Sequence, residues 1–263
     1  MTVTKDFGDL VVSVGDDLVA TAEIRRAPDN FFDAALIAGL ADAYEWLDGR
    51  DDVRAVVLCS DGKHFCAGAD LGGRSAQGNP VTDGGVSALY AQAVRLFETQ
   101  TPVVAAVQGA AIGGGLGLAC SADFRVASPL ARFAANFARL GFHQGFGLSV
   151  TLPAIIGQQR ALELLYTGRR IGGEEAARLG LADRLADPGD LRAAAHELAA
   201  EIAGSAPLAV RSIRATMRDG LAEQIRAATE REGAEQERLR QTSDFAEGIR
   251  ASAERRPPRF EGR

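Results

Sequence analysis

Apolar and polar positions alternate over 9–14 and again over 18–24, with Gly15-Asp16-Asp17 between them, which predicts two strands joined as a hairpin. The period then changes to three and four. Leu36, Ile37, Leu40, Ala43, Tyr44 and Leu47 share one face of a helix predicted over 33–47, and the carboxylate of Asp33 suits its start. An apolar run over 53–60 reads as a buried strand, and strand, helix, strand at this spacing is a βαβ-type arrangement that predicts a largely parallel sheet. Residues 72–85 have no apolar period and many breakers, so a loop is expected there. Leu89, Tyr90, Ala93, Val94 and Phe97 then mark one side of a helix over 87–98.

Short strands are predicted over 103–107, 123–127 and 131–134, an irregular segment over 136–149, and helices over 148–156 and 159–166 separated by Gly157. From 190 onward the pattern is helical over 191–202, 208–217, 221–239 and 244–253. No compositional linker divides the chain. The expected organisation is therefore one domain over 1–263, with an α/β core over about 1–189 and a helical region over about 190–263.

The apolar run over 103–107 leads into Gly109-Ala-Ala-Ile-Gly113-Gly114-Gly115-Leu-Gly117. A strand that turns through glycines into a helix presents backbone N–H groups without partners, which suit a negative oxygen or a phosphate. Close packing of helix on sheet would need the same glycines. The dinucleotide fingerprint fails, because the sixth position counted from Gly113 is Leu118, and no phosphate loop of the G-x-x-x-x-G-K-[ST] type occurs. A second turn follows the 53–60 strand and reads Phe65-Cys66-Ala67-Gly68-Ala69-Asp70-Leu71.

Composition narrows the field. The 263 residues, 46% hydrophobic, are ordinary for a globular enzyme, and a formal charge of −6 argues against a general nucleic-acid binder. Only Lys5 and Lys63 are lysines, so the cationic surface is almost wholly arginine. Cys59, Cys66 and Cys120 form neither a metal nor a disulfide pattern and read as reduced core thiols of a cytoplasmic protein. Neither a signal peptide nor an eighteen-residue apolar span is seen, so no membrane association is expected. A metal site is not expected, and no serine-hydrolase elbow G-x-S-x-G is present.

The two glycine-containing turns together resemble the crotonase, or enoyl-CoA hydratase/isomerase, superfamily, and the likeness runs from Val11 to the end of the chain. The resemblance implies an α/β crotonase-like spiral of β-β-α units whose helical C-terminal region supports a homotrimer or a dimer of trimers. It implies a coenzyme A thioester as substrate, with no permanently bound cofactor. The backbone N–H groups of Ala69 and Gly114 would then hold the thioester oxygen while an enolate forms, a task that preorganised amides perform without a side chain. Pro28, Ala67, Asp70, Leu71, Gly113 and Phe137 are implied in substrate or CoA binding. Arg74 is a further candidate for a CoA phosphate or the acyl group, and His64 for CoA phosphates, but solvent is the favoured partner of both. The loop over 25–32 lies beside the adenine end of CoA in relatives; from its residues alone it is a polar connector.

The sequence departs from the hydratases at their two acid/base glutamates. Counting along the motifs places Gly117 and Phe137 at those positions, and neither transfers a proton. Simple hydration of an enoyl thioester then lacks its acid and base. An isomerase, hydrolase or decarboxylase activity, or a non-catalytic acyl-CoA-binding subunit, is the alternative. His143, in Leu140-Gly-Phe-His-Gln-Gly-Phe-Gly147, is the candidate replacement acid/base, because imidazole is the side chain suited to proton transfer near neutral pH and it lies on the segment that carries such groups in relatives. Asp70 is read as a cap or amide acceptor, and His196 lies on a remote helix.

Overall fold

The computed structural model describes residues 3–70 and 85–263. Strands β1 (Val3–Phe7), β2 (Leu10–Val14) and β3 (Val19–Ile24) form an antiparallel meander. Asp33 caps helix α1 (Ala34–Asp48), its side chain accepting from the Leu36 N–H at 2.8 Å, and the face predicted by spacing is the buried one. The next elements are β4 (Ala55–Ser60), α2 (Gly85–Glu98), β5 (Val103–Val107), β6 (Ala110–Ile112), α3 (Gly114–Ser121), β7 (Phe124–Ala127) and β8 (Arg132–Ala134). A 3₁₀ turn over Ala138–Leu140 precedes α4 (Leu148–Ile156), α5 (Gln158–Thr167), β9 (Ile171–Gly172), α6 (Gly173–Leu179) and β10 (Arg184–Leu185). Four helices end the chain: α7 (Leu191–Ala203), α8 (Pro207–Met217), α9 (Leu221–Leu239) and α10 (Ser243–Glu254).

The main sheet has the order β1-β2-β3-β4-β5-β7-β10, antiparallel through β3 and parallel from there on. The parallel expectation thus holds for the half that carries the crossover helices. A smaller sheet, β6-β8-β9, stands beside it. All six residues of β4 are buried because both faces are covered. Val56 and Leu58 enter the main core, whereas Ala55, Val57 and Cys59 meet α7.

Helix α9 packs on α2 and α4, and its fully buried Ile225 contributes about 1.5–3 kcal/mol by leaving water. Glu232 of α9 is 1% exposed and accepts from the Gly147 N–H (2.8 Å) and the Ser149 N–H (3.0 Å), capping α4 from another helix. Burial raises the pKa of this carboxyl, with the Ser149 side chain and the two amides opposing. The C-terminal helices are therefore joined to the segment that precedes α4. Cys59, Cys66 and Cys120 are free and buried. No helix among the described residues is long and apolar enough to cross a membrane.

Candidate active site

Backbone contacts stitch the two glycine turns together. The Cys66 N–H donates to Ala110 O (2.9 Å), and the Ile112 N–H donates to Cys66 O (3.1 Å). A side chain at Gly115 would come within 2.2 Å of Cys66 O, so the approach of α3 to the first turn needs that glycine. Gly68 has φ +96° and faces Ile112 O, a combination that again excludes a side chain.

The loop over 25–32 closes onto the same turn, and here the structure corrects the reading of a polar connector. Asn30 is fully buried; its amide donates to Asp61 O (2.7 Å) and His64 O (2.6 Å) and accepts from the Arg26 N–H (2.9 Å). The Phe32 N–H donates to Gly68 O (3.1 Å), and the Ala67 N–H donates to Asp29 O (2.9 Å).

These bonds occupy the neighbours of two amides and leave those two aside. The Gly113 N–H donates to Ala134 O (2.8 Å), and α3 begins at Gly114. Among the described residues, no backbone carbonyl accepts from the Ala69 or the Gly114 N–H. Both residues line one cavity of about 90 Å³. The start of α3 adds the positive end of a helix dipole at that wall.

The rest of the cavity is largely aromatic. Phe32 meets Phe146 edge-on at 5.6 Å between centroids, and Phe137 meets Phe142 at 5.4 Å. Phe245 of α10 backs Phe142 at 5.3 Å. The polar side chains on the lining are Tyr90, Asn136, Gln236 and Arg240, and among the described lining residues there is no carboxylate. Burial, with the Glu232 carboxylate nearby, pushes Tyr90 well above its ordinary value, so it is a neutral phenol at physiological pH. Desolvation lowers the pKa of Arg240 from an arginine's high starting value, and it stays a cation.

Of the residues singled out from sequence, Ala67, Ala69, Gly113, Gly114 and Phe137 lie together on this cavity. Pro28 and Asp70 do not line it; Pro28 is exposed and Asp70 is buried. Leu71 and Arg74 lie outside the described residues. The structure does not bring His143 to the cavity either. Its Nδ1 lies 2.9 Å from Gln144 O, and its ring stands near Glu232 on the α9 side, because the turn is held there by Gln236 donating to His143 O (3.0 Å).

His64 is not a solvated surface group. Its Nδ1 accepts from the Ala110 N–H (3.2 Å), and burial lowers its pKa. Among the described residues, no group of three or more His, Cys, Asp or Glu is placed to hold a metal.

Phe146 was invisible to sequence reasoning. It has φ +62° and lies fully buried against Gly117, where a Cβ on the glycine would fall 2.5 Å from Phe146 Cβ. Position 117 therefore has no room for any side chain in this arrangement. Tyr90, Gln236 and Arg240 were missed as well. Their only signal was an i, i+4 pair of polar residues on α9 and a tyrosine on the apolar side of α2.

A sequence model of enoyl-CoA hydratase/isomerase matches residues 16–263. The chain belongs to the enoyl-CoA hydratase/isomerase family. Within it, a carnitinyl-CoA dehydratase of Proteus mirabilis is 36% identical over 221 residues, covering 81% of this chain and 84% of that protein. An enoyl-CoA isomerase/hydratase of Zymoseptoria tritici is 34% identical over 253 residues, covering 89% and 80%. The crystal structure of an enoyl-CoA hydratase/isomerase from Pseudoalteromonas atlantica superposes with a TM-score of 0.86 at 31% identity over 97% of this chain and all of that one. The fold is thus the crotonase fold, and this member is a crotonase-type acyl-CoA enzyme.

Proposed function

We propose that the Ala69 and Gly114 N–H groups receive the carbonyl oxygen of an acyl-CoA thioester and stabilise its enolate, and that the reaction is other than efficient enoyl-CoA hydration. The observation that carries this reading is a pair of amides from which no described backbone carbonyl accepts, on one cavity whose described lining has no carboxylate. Each such donor is worth roughly 3–4 kcal/mol of barrier, enough to sustain enolate chemistry in an apolar site. By motif count Gly117 and Phe137 stand where hydratases keep their glutamates. Phe146 fills the space over Gly117, and Phe137 presents a ring to the cavity. Isomerisation, thioester hydrolysis or decarboxylation of an acyl-CoA remains open to this site, with no permanently bound cofactor required. Tyr90 is the titratable lining group able to give up a neutral O–H hydrogen bond, whereas His143 takes no part in this reading.

The same proposal includes assembly as a homotrimer or a dimer of trimers. It is supported by Leu208, Ile213 and Met217 standing exposed on α8. Three buried reduced thiols support a cytoplasmic setting.

The test is turnover of crotonyl-CoA, a β-keto acyl-CoA and a methylmalonyl-type CoA by the purified protein. Crotonyl-CoA hydration is expected to be roughly 10²–10⁴ slower than in a relative with both glutamates. Hydration at an equal rate would contradict the reading.

A further inference from the structure

We infer that Arg240 is a specificity-determining residue that binds a carboxylate on the acyl portion of the substrate, so that the preferred thioesters are those of dicarboxylic acids. This inference rests on the acyl-CoA reading above and deepens it.

Arg240 lines the same cavity as Ala69 and Gly114. Among the described residues, its Nε is buried without a hydrogen-bond partner and its Nη2 donates to Gln236 Oε1 at 3.5 Å. The guanidinium carbon lies 5.7 Å from the centroid of Phe142, within cation–π range, and a ring face does not replace a counter-ion. No carboxylate among the described residues forms an ion pair with it. The nearest acidic influence from its own helix is Glu237, which is exposed, and Tyr90 faces it from α2.

Other arginines with a bare buried nitrogen differ. Arg214 and Arg218 share Asp123, and Arg54 donates to Ala203 O at 3.2 Å. Buried Arg125 donates to Leu181 O, Ala122 O and Asp183. Arg240 stands half-buried at the cavity with a bare buried Nε and no ion pair to a described carboxylate. A planar guanidinium matches a carboxylate through paired N–H donors, and desolvation by the phenylalanines strengthens that bond. Tyr90 and Gln236, beside it on the lining, add polar groups at the same end. A cavity of about 90 Å³ suits a short acyl chain, and its lining offers two amides to the neutral thioester oxygen and one guanidinium to a distal carboxylate.

The test compares glutaryl-CoA with valeryl-CoA, which carries a methyl where the first carries a carboxylate, by calorimetric titration of the wild type, Arg240→Met and Arg240→Lys. Glutaryl-CoA should bind the wild type at least about tenfold more tightly. The preference should fall to near unity in Arg240→Met and return in part in Arg240→Lys. Arg240→Met should melt no lower than the wild type in the absence of ligand, since it removes a buried charge that lacks a partner. Equal binding of the two esters by the wild type, or a preference that survives Arg240→Met, would overturn the inference while leaving the acyl-CoA reading intact. Failure of both esters to bind would overturn both.

Discussion

The two sides of the cavity are made from different kinds of atoms. On one side, Ala69 and Gly114 contribute backbone N–H groups beside main-chain bonds that join Phe65 and Cys66 to Gln108, Ala110 and Ile112, and glycine at 68, 113, 114 and 115 keeps side chains out. On the other, Tyr90, Phe142, Gln236 and Arg240 contribute side chains from α2, the turn before α4, α9 and the C-terminal cap of α9. A wall built from backbone fixes a chemistry shared by every sequence that keeps the two turns. A wall built from side chains can change its substrate or its proton-transfer group by point substitution without disturbing the turns. On the reading proposed above, Gly117 and Phe137 at the positions where hydratases keep glutamates, and the arginine at 240, belong to the second wall's side of that division.

The largest effect should come from deleting a donor on the backbone wall. Any side chain at Gly114 strikes Phe32, whose Cζ would lie 2.3 Å from the new Cβ, so room must first be made with Phe32→Ala. In that background Gly114→Ala retains the N–H and Gly114→Pro removes it, while proline is tolerated at the first position of a helix. Turnover of whichever ester is processed should be roughly 10²–10³ lower in the proline variant than in the alanine variant. Equal rates would assign the oxygen to some other donor.

Next comes an attempt to rebuild the hydratase wall. Gly117→Glu places its Cβ against Phe146 and should destabilise the protein by about 1–3 kcal/mol in urea unfolding, as overpacking does, with no gain in crotonyl-CoA hydration. A stable variant with raised hydration would show that the turn over 141–147 readily moves away.

A smaller effect concerns what holds the side-chain wall in place. Glu247 of α10 is paired with Arg256 and Arg250 and accepts from the Arg259 N–H, which together hold its carboxyl well below its ordinary value of 4.5. A depressed carboxylate contributes stability that is present above its unfolded pKa and lost as pH falls toward its folded one. Wild type should therefore melt above Glu247→Gln at pH 7, and the gap should close as pH drops below about 4.5. The consequence reaches the cavity through Phe245 and Phe142. A gap independent of pH would remove this carboxylate from the account.

The same division explains what could be read from sequence. Both turns were legible because they are local: glycine spacing and an apolar strand before each suffice to announce unpaired amides. Helices α1, α2, α4 and α5 were legible from period, down to the Asp33 cap. The sheet's antiparallel start at β1, and β9 and β10 with two residues each, were not, because such short pairings draw their stability from neighbours distant in sequence. Phe146 meets Gly117 across a loop, and no local pattern announces that contact. Gln236 and Arg240 look in sequence like any solvated i, i+4 pair on a charged helix; only the packing of α9 on α2 and α4 turns that face inward. His143 was the converse case, a titratable ring in the right segment that the capping of α4 by Glu232 and the bond from Gln236 hold on the far side of the turn.

The central claim is that the two amides polarise a thioester carbonyl, and isotope-edited infrared difference spectroscopy reads that directly. With carbonyl-¹³C glutaryl-CoA bound to the wild type, the C=O band should shift to lower frequency than in the free ester. The shift should shrink when Gly114→Pro replaces Gly114→Ala in the Phe32→Ala background. A bound ester whose carbonyl band stays at its free-solution frequency would contradict the account.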